Sequence, residues 1–296
     1  MPELPDIELY VTRLRERVVG ETLRSFKTHT PFVLHSLARP AELDGLEVLS
    51  VSRLGKRLVF SLERNFFLVL HLMIAGRLSW VSPVPPEHPR RDKALLATLQ
   101  FDKGRLTLVE HSTKKRASIF IERSLEALQQ HQRRGVDVLN CSQEEFERVL
   151  KHENRTLKRA LTDPNSFDGI GNAYSDEILF ASRLSPMLQT HSLDPEQMVR
   201  LRDATRETIQ FWCERLLQLY PEFPKPGQVT AFRSDFAVHG KYGRPCKVCG
   251  SPIQRIVYAD TETNYCAKCQ NGGKLLADRG ISRLLKEDRP KTLDDL

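Results

Sequence analysis

Apolar residues recur at Ile7, Tyr10, Val11, Leu14 and Val18 with charged residues between them, the period of a helix with one buried face. This spacing predicts a helix over Ile7–Val19, closed by Gly20, a residue suited to the position after a helix C-terminus. From Glu21 to Glu122 the texture changes to short β-rich runs. Val48–Leu54, Leu58–Leu62, Phe66–His71, Leu95–Phe101 and Leu106–Glu110 read as strands, with Asp102-Lys103-Gly104 as a hairpin turn. Short strands at this spacing predict a β-sandwich or barrel. Ser82–Arg91 holds Pro83, Pro85, Pro86 and Pro89 and reads as a loop, since proline cannot donate to a sheet ladder.

Residues 125–220 read as helical. Gln143–Leu150 follows Ser142, a good N-cap, and a long helix over Gln197–Tyr220 follows Asp194-Pro195. Between them stands Gly169-Ile170-Gly171-Asn172, with no clear strand before it. Two glycines ahead of a helix allow close backbone approach, and free N–H groups at a helix start suit a phosphate; a plain tight turn has the same pattern. The expected fold class is a multidomain α+β protein. Its parts are a helix plus β-sandwich over 1–125, a helical domain over 126–228, a small zinc-ribbon domain over 229–272 and a basic tail over 273–296.

The ribbon rests on the most specific local signal. Cys246-x2-Cys249, sixteen residues, then Cys266-x2-Cys269 supplies four thiolates at the spacing of a closed tetrahedral site, which implies one structural Zn²⁺. Redox pairing is the alternative. Cys141 and Cys213 stand apart and read as helical packing residues. The tail carries Lys274, Arg279, Arg283, Lys286 and Arg289 before Asp294-Asp295.

A net charge of +7 points to a polyanionic partner. No apolar run approaches the length of a membrane span and no secretory h-region opens the chain, so a cytoplasmic, nucleoid-associated protein is expected. Lys56, Arg57, Arg77 and Lys114-Lys115-Arg116 fall at strand ends, where they form either a solvated rim or a groove that follows phosphates.

Candidate chemistry lies in Met1-Pro2-Glu3-Leu4-Pro5-Asp6. Removal of Met1 leaves Pro2 with a secondary amine. Such an α-amino group titrates near pKa ~8 and is able to attack a carbonyl-level carbon to give an iminium. Glu3 is placed to move the protons of that step.

Taken together, these motifs resemble the formamidopyrimidine-DNA glycosylase and endonuclease VIII family, in its formamidopyrimidine branch. Met1-Pro2-Glu3-Leu4-Pro5 is similar to its opening. Gly169–Asn172 with Tyr174, Asp176 and Glu177 resembles its helix–two-turn–helix motif. Val238–Cys246 and Ser251–Arg255 resemble its zinc finger. The resemblance implies a monomeric bifunctional glycosylase and AP lyase of base excision repair, acting on duplex DNA with damaged bases (ring-opened or oxidised purines) or abasic sites. By position, Pro2 matches the nucleophile, Glu3 the general acid/base, and Lys56 a phosphate-contacting lysine that assists catalysis. His71, Lys158 and Asn172 match further phosphate contacts. Lys115 and Arg116 fall in the loop that wedges into the opposite strand.

Four places depart from the family pattern, the first being Asp6, which stands where the family usually has a glutamate. Ile74, beside Met73, stands where a methionine fills the gap left by the extruded base. Ser112-Thr113-Lys114-Lys115-Arg116 carries no aromatic wedge. Thr261 replaces a phosphate-binding arginine and lies between Asp260 and Glu262, acidic residues expected to repel a phosphate. These departures motivate the alternative of a lesion-binding relative without catalysis. A zinc-ribbon module for RNA or protein is a third reading, which leaves the opening residues unexplained.

Overall fold

The computed structural model describes residues 1–83, 92–258, 261–277 and 290–295. The expected loop over Ser82–Arg91 falls largely outside these residues, as do Asp260 and the tail's Arg279, Arg283, Lys286 and Arg289. The chain divides into two compact units, 1–133 with 212–230, and 134–211 with 231–296. The segment 212–228, expected in the helical domain, therefore belongs with the N-terminal unit.

The first unit begins with α1, Leu4–Val18. It starts earlier than its apolar period suggests because the first turn tolerates Pro5, whose missing N–H has no partner to lose there. The Asp6 carboxylate accepts the Glu3 N–H at 2.9 Å. Eight strands follow: β1 Leu23–Thr28, β2 Val48–Leu54, β3 Arg57–Leu62, β4 Phe66–His71, β5 Gly76–Val81, β6 Leu95–Phe101, β7 Arg105–Glu110 and β8 Ser118–Glu122. They form two four-stranded antiparallel sheets, ordered β1-β6-β7-β5 and β2-β3-β4-β8. Ile7, Tyr10, Val11, Leu14 and Val18 of α1 share one buried core with both sheets, including Phe26, Phe60, Leu70, Leu99 and Leu108. The expected sandwich is present, with α1 built into its core. On the other face of the second sheet, Val59 and Val69 pack against Leu128 of α2, Leu125–Gln129.

In the second unit, β9 (Val136–Asp137) pairs in parallel with β10 (Phe167–Asp168). A two-residue strand thus precedes Gly169, where the sequence showed none. Helices α3 (Gln143–Leu150), α4 (Leu157–Thr162), α5 (Asn172–Ala181) and α6 (Pro195–Leu219) follow in order, and the division between the units falls within α6. Ser142 caps α3 reciprocally with Glu145, at 3.2 and 3.0 Å. Cys141 lies just outside that helix and so is not the helical residue expected; it and Cys213 are half-buried. The finger consists of the hairpin β11–β12, Gln254–Tyr258 with Thr261–Tyr265, and α7, Ala267–Asn271. Beyond it, Lys274 bridges Thr292, and Asp295 accepts from the backbone N–H groups of Lys291 and Thr292.

Leu14 is fully buried in the shared core. Leu14→Ala is expected to cost about 2–5 kcal/mol, read from the midpoint of urea unfolding at unchanged slope.

Candidate nucleic-acid interface

Pro2 and Glu3 are buried at the start of α1, with Glu3 only 3% exposed. Burial pushes the pKa of the Met1 α-amino group down; Arg77 and Lys56 push the same way, and Glu3 and Asp6 oppose them. Two cations and two carboxylates therefore act on the chain's front. Arg77 is held by carbonyls: its Nε donates to Val229 O at 2.6 Å and its Nη1 to Gly76 O at 2.7 Å.

Lys56 is the second residue of the two-residue turn joining β2 to β3. Gly55 precedes it with φ +57, the sign that the first central residue of such a hairpin requires. The cross-strand register sets Arg57 opposite His71, and His71 opposite Ser118. Burial lowers the His71 pKa to about 4, helped by Arg57, Lys56 and Arg133. The lowered value favours the uncharged ring at neutral pH. Lys115 and Arg116 are exposed in the connection between β7 and β8. Ile74 is 53% exposed, and its neighbour Met73 takes φ +51.

The second unit holds the remaining site residues. Gly169, at φ +89, turns the chain into α5, whose N-cap is Gly171. The Asn172 side chain donates to Glu262 O at 2.8 Å, so it bridges α5 to the finger hairpin. Lys158 is buried, and its ammonium donates to Asn172 O at 2.7 Å, Ser175 Oγ at 2.8 Å and Asp176 Oδ1 at 2.5 Å. The other Asp176 oxygen meets His239 Nδ1 at 2.7 Å and accepts Asn264 N at 3.0 Å. Glu177 accepts three backbone N–H groups, from Ala237, Val238 and His239. In the sequence, Asp176 and Glu177 stand out only as part of the helix–two-turn–helix resemblance. Glu262 does not stand free as a repelling charge: its carboxylate lies 3.7 Å from Arg255 Nη1 and accepts Asn264 Nδ2 at 3.0 Å.

The sulfurs of Cys246, Cys249, Cys266 and Cys269 all lie within 4.8 Å of one another. Cys249–Cys266 is 3.4 Å and Cys246–Cys269 is 4.0 Å, which bracket the ~3.8 Å separation of thiolates around a tetrahedral ion at about 2.3 Å. Backbone N–H groups of Val248 and Cys269 face Cys246 Sγ and Cys266 Sγ at 3.4 and 3.5 Å. The donor set fits one closed metal site. Among the described residues no helix is long and apolar enough to cross a membrane.

Three family sequence models match in chain order: the formamidopyrimidine-DNA glycosylase N-terminal domain over residues 1–118, its H2TH domain over 137–215, and a zinc finger found in these glycosylases and isoleucyl-tRNA synthetase over 243–272. Formamidopyrimidine-DNA glycosylase of Thermus thermophilus is 34% identical over 281 residues, covering 92% of this chain and all of that one. The chain belongs to the formamidopyrimidine-DNA glycosylase family. An uncharacterised formamidopyrimidine-DNA glycosylase-like protein of Mycobacterium tuberculosis is 36% identical over 157 residues, 51% of this chain and 94% of that one. The Lactococcus lactis enzyme, in the G226P form bound to DNA containing Fapy-dG, superposes with TM-score 0.79 at 25% identity, covering 91% of this chain and 100% of that one. The crystal structure of the Thermus thermophilus MutM (Fpg) protein superposes with TM-score 0.74 at 31% identity, over 91% and 98% of the two chains. This glycosylase-family chain retains the family's three parts in order, with the tail after residue 272 outside the matched regions.

The His71 pKa lies below the ordinary histidine value near 6.5, so the folded protein favours the neutral ring. His71 thus adds no stability penalty above about pH 6.5, and destabilises progressively as pH falls through 6.5 toward 4. NMR titration of the ring protons is expected to give a midpoint near 4, and His71→Gln is expected to flatten the loss of stability across that window.

Proposed function

We propose that this chain is a bifunctional DNA glycosylase and AP lyase acting on damaged duplex DNA, with Pro2 as nucleophile once Met1 is removed. The observation that carries this reading is the front of α1, where Pro2 and Glu3 are fixed by burial beside Lys56 and Arg77. In this mechanism the Pro2 amine attacks C1′ of an extruded nucleotide, the base departs from C1′, and the sugar is held as an iminium. Glu3 moves protons on the deoxyribose as the ring opens. Elimination then breaks the strand on both sides of the lost base, and water releases Pro2. A nearby cation favours the free amine at neutral pH, since it raises the cost of protonating a neighbour.

Lys56 stands at a hairpin tip, a position suited to a phosphate flanking the reacting sugar, and neutral His71 suits a hydrogen bond to the same backbone. The second unit supplies the start of α5, whose first-turn N–H groups suit a phosphate, with the Asn172 side-chain amide given to Glu262 O. Where the resemblance implies a phosphate contact for Lys158, we assign it the task of holding the first turn of α5 through Asn172 O and Ser175. Zn²⁺ on the four cysteines would hold the finger in shape and take no part in the reaction. The partner is duplex DNA carrying a damaged base or an abasic site, and the chain acts as a monomer.

The alternative of a lesion-binding relative draws support from the connection 111–117, which offers cations and no aromatic wedge. Binding to a lesion panel without turnover would favour it. Borohydride reduction of the protein with an abasic duplex is expected to trap a covalent complex, and intact mass is expected to match a chain beginning at Pro2. Pro2→Gly is expected to abolish trapping, and Glu3→Gln to slow base excision by about 10²–10⁴-fold. Retention of both activities by Pro2→Gly would sink the mechanism. Colorimetric assay after thiol modification is expected to release one Zn²⁺ per chain, and Cys249→Ser is expected to lower both metal content and DNA affinity.

A further inference from the structure

Glu110 is the last residue of β7, in the first sheet, and the chain resumes as β8, in the second sheet, after a connection of seven residues. Its carboxylate is 1% exposed. One oxygen accepts Ser112 Oγ at 3.0 Å; the other accepts the backbone N–H groups of Arg116 at 2.9 Å and Ala117 at 3.0 Å. Its backbone carbonyl also accepts the Lys115 ammonium. Both ends of the connection are thus tied to one buried acidic residue, while Thr113, Lys114, Lys115 and Arg116 remain exposed. Six of the seven side chains from His111 to Ala117 are polar, so the apolar packing that fixes most tight crossovers is replaced here by hydrogen bonds to one carboxylate.

We propose that Glu110 is a positioning residue that presents Lys115 and Arg116 to the DNA strand opposite the lesion. The inference rests on the DNA-glycosylase reading above and extends it to a residue outside the expected site. Two backbone N–H groups converge on one oxygen of this carboxylate, and the Ser112 hydroxyl, which also donates to Lys114 O at 2.8 Å, stands against the other. Alanine removes all of these contacts, whereas glutamine keeps one oxygen able to accept both N–H groups. In place of an aromatic wedge, the loop carries preorganised charge, whose ordering cost is met before DNA arrives.

The sign of one substitution separates this role from simple electrostatics. Removing a negative charge near a phosphate ought to tighten binding. Loss of positioning loosens it. Binding of the full chain to a duplex carrying a tetrahydrofuran abasic analogue would be measured over a range of salt for E110A, S112A, K115A/R116A and the E110A/K115A/R116A triple variant, with thermal melting of each. E110A is expected to bind roughly three- to tenfold more weakly, with the log–log salt slope reduced by about 1. The triple variant is expected to bind no more weakly than K115A/R116A. S112A is expected to lose affinity in the same direction to a smaller extent, and it carries the test if E110A fails to melt cooperatively. Unchanged or tighter binding by E110A, or losses that multiply in the triple variant, would overturn the positioning role. If K115A/R116A weakens binding while E110A does not, only that role falls; if the unmodified chain does not bind the duplex, the DNA reading falls with it.

Discussion

The burial of α1 between two sheets is the constraint on which the first unit depends. Ile7, Tyr10, Leu14 and Val18 are withdrawn from water together with the inward faces of both sheets, so the helix has no freedom to slide or rotate without opening the core. Each such side chain contributes about 1.5–3 kcal/mol on burial. The consequence for chemistry is positional. The first turn of a helix carries the chain's opening residues, and a first turn fixed by a core is as rigid as the core. A chain end is ordinarily among the most mobile parts of a protein. Here Pro2 is buried and precedes a buried glutamate whose own N–H is held by Asp6.

The second unit solves a related problem with charge instead of apolar area. Asp176 and Glu177 are consecutive buried carboxylates on α5, and burial raises the Glu177 pKa despite three N–H donors. Buried carboxylates are costly unless their oxygens are fully engaged. These two engage Lys158, His239, Asn264 and the backbone of 237–239, so one turn of α5 binds α4, the lead-in to the finger and the hairpin strand β12. A small finger has little apolar core of its own, here Val238, Cys246, Ile253 and Cys266 with a few partly buried neighbours. It meets the helices both through Phe180 of α5, packed on that cluster, and through these directional polar contacts.

Much of this was legible in the sequence where a pattern has a single physical cause. The bounds of β2, β4, β6 and α3 follow directly from periodicity and a serine cap, because alternation and capping act locally. The cysteine spacing likewise foretold a cluster of four sulfurs, since few geometries satisfy two Cys-x-x-Cys pairs. What stayed hidden were effects of long-range contact. The strand β10 exists only because β9 lies beside it, about thirty residues earlier in the chain, and two residues carry no periodicity. The burial of Lys158 is not legible in the run from Leu157 to Thr162, because its partner Asp176 is a helix away. Glu262 looked like an unopposed charge because Arg255 faces it across a hairpin. The segment 212–228 was assigned by its helical texture, whereas its contacts place it with the N-terminal unit, as in the Arg13 bonds to Leu217 O and Tyr220 O.

The placement of Lys158 also bears on how the family motif around Gly169–Asn172 works in this chain. A lysine free to reach a phosphate adds affinity that depends on salt. In this chain the Lys158 ammonium donates to Asp176, Ser175 and the Asn172 carbonyl, and so ties α4 to the first turn of α5. The Asn172 amide, donated to the Glu262 carbonyl, ties that same turn to the hairpin that carries Thr261 in place of an arginine. The first turn of α5 is thus held from both sides, by the buried Lys158–Asp176 pair and by the finger hairpin.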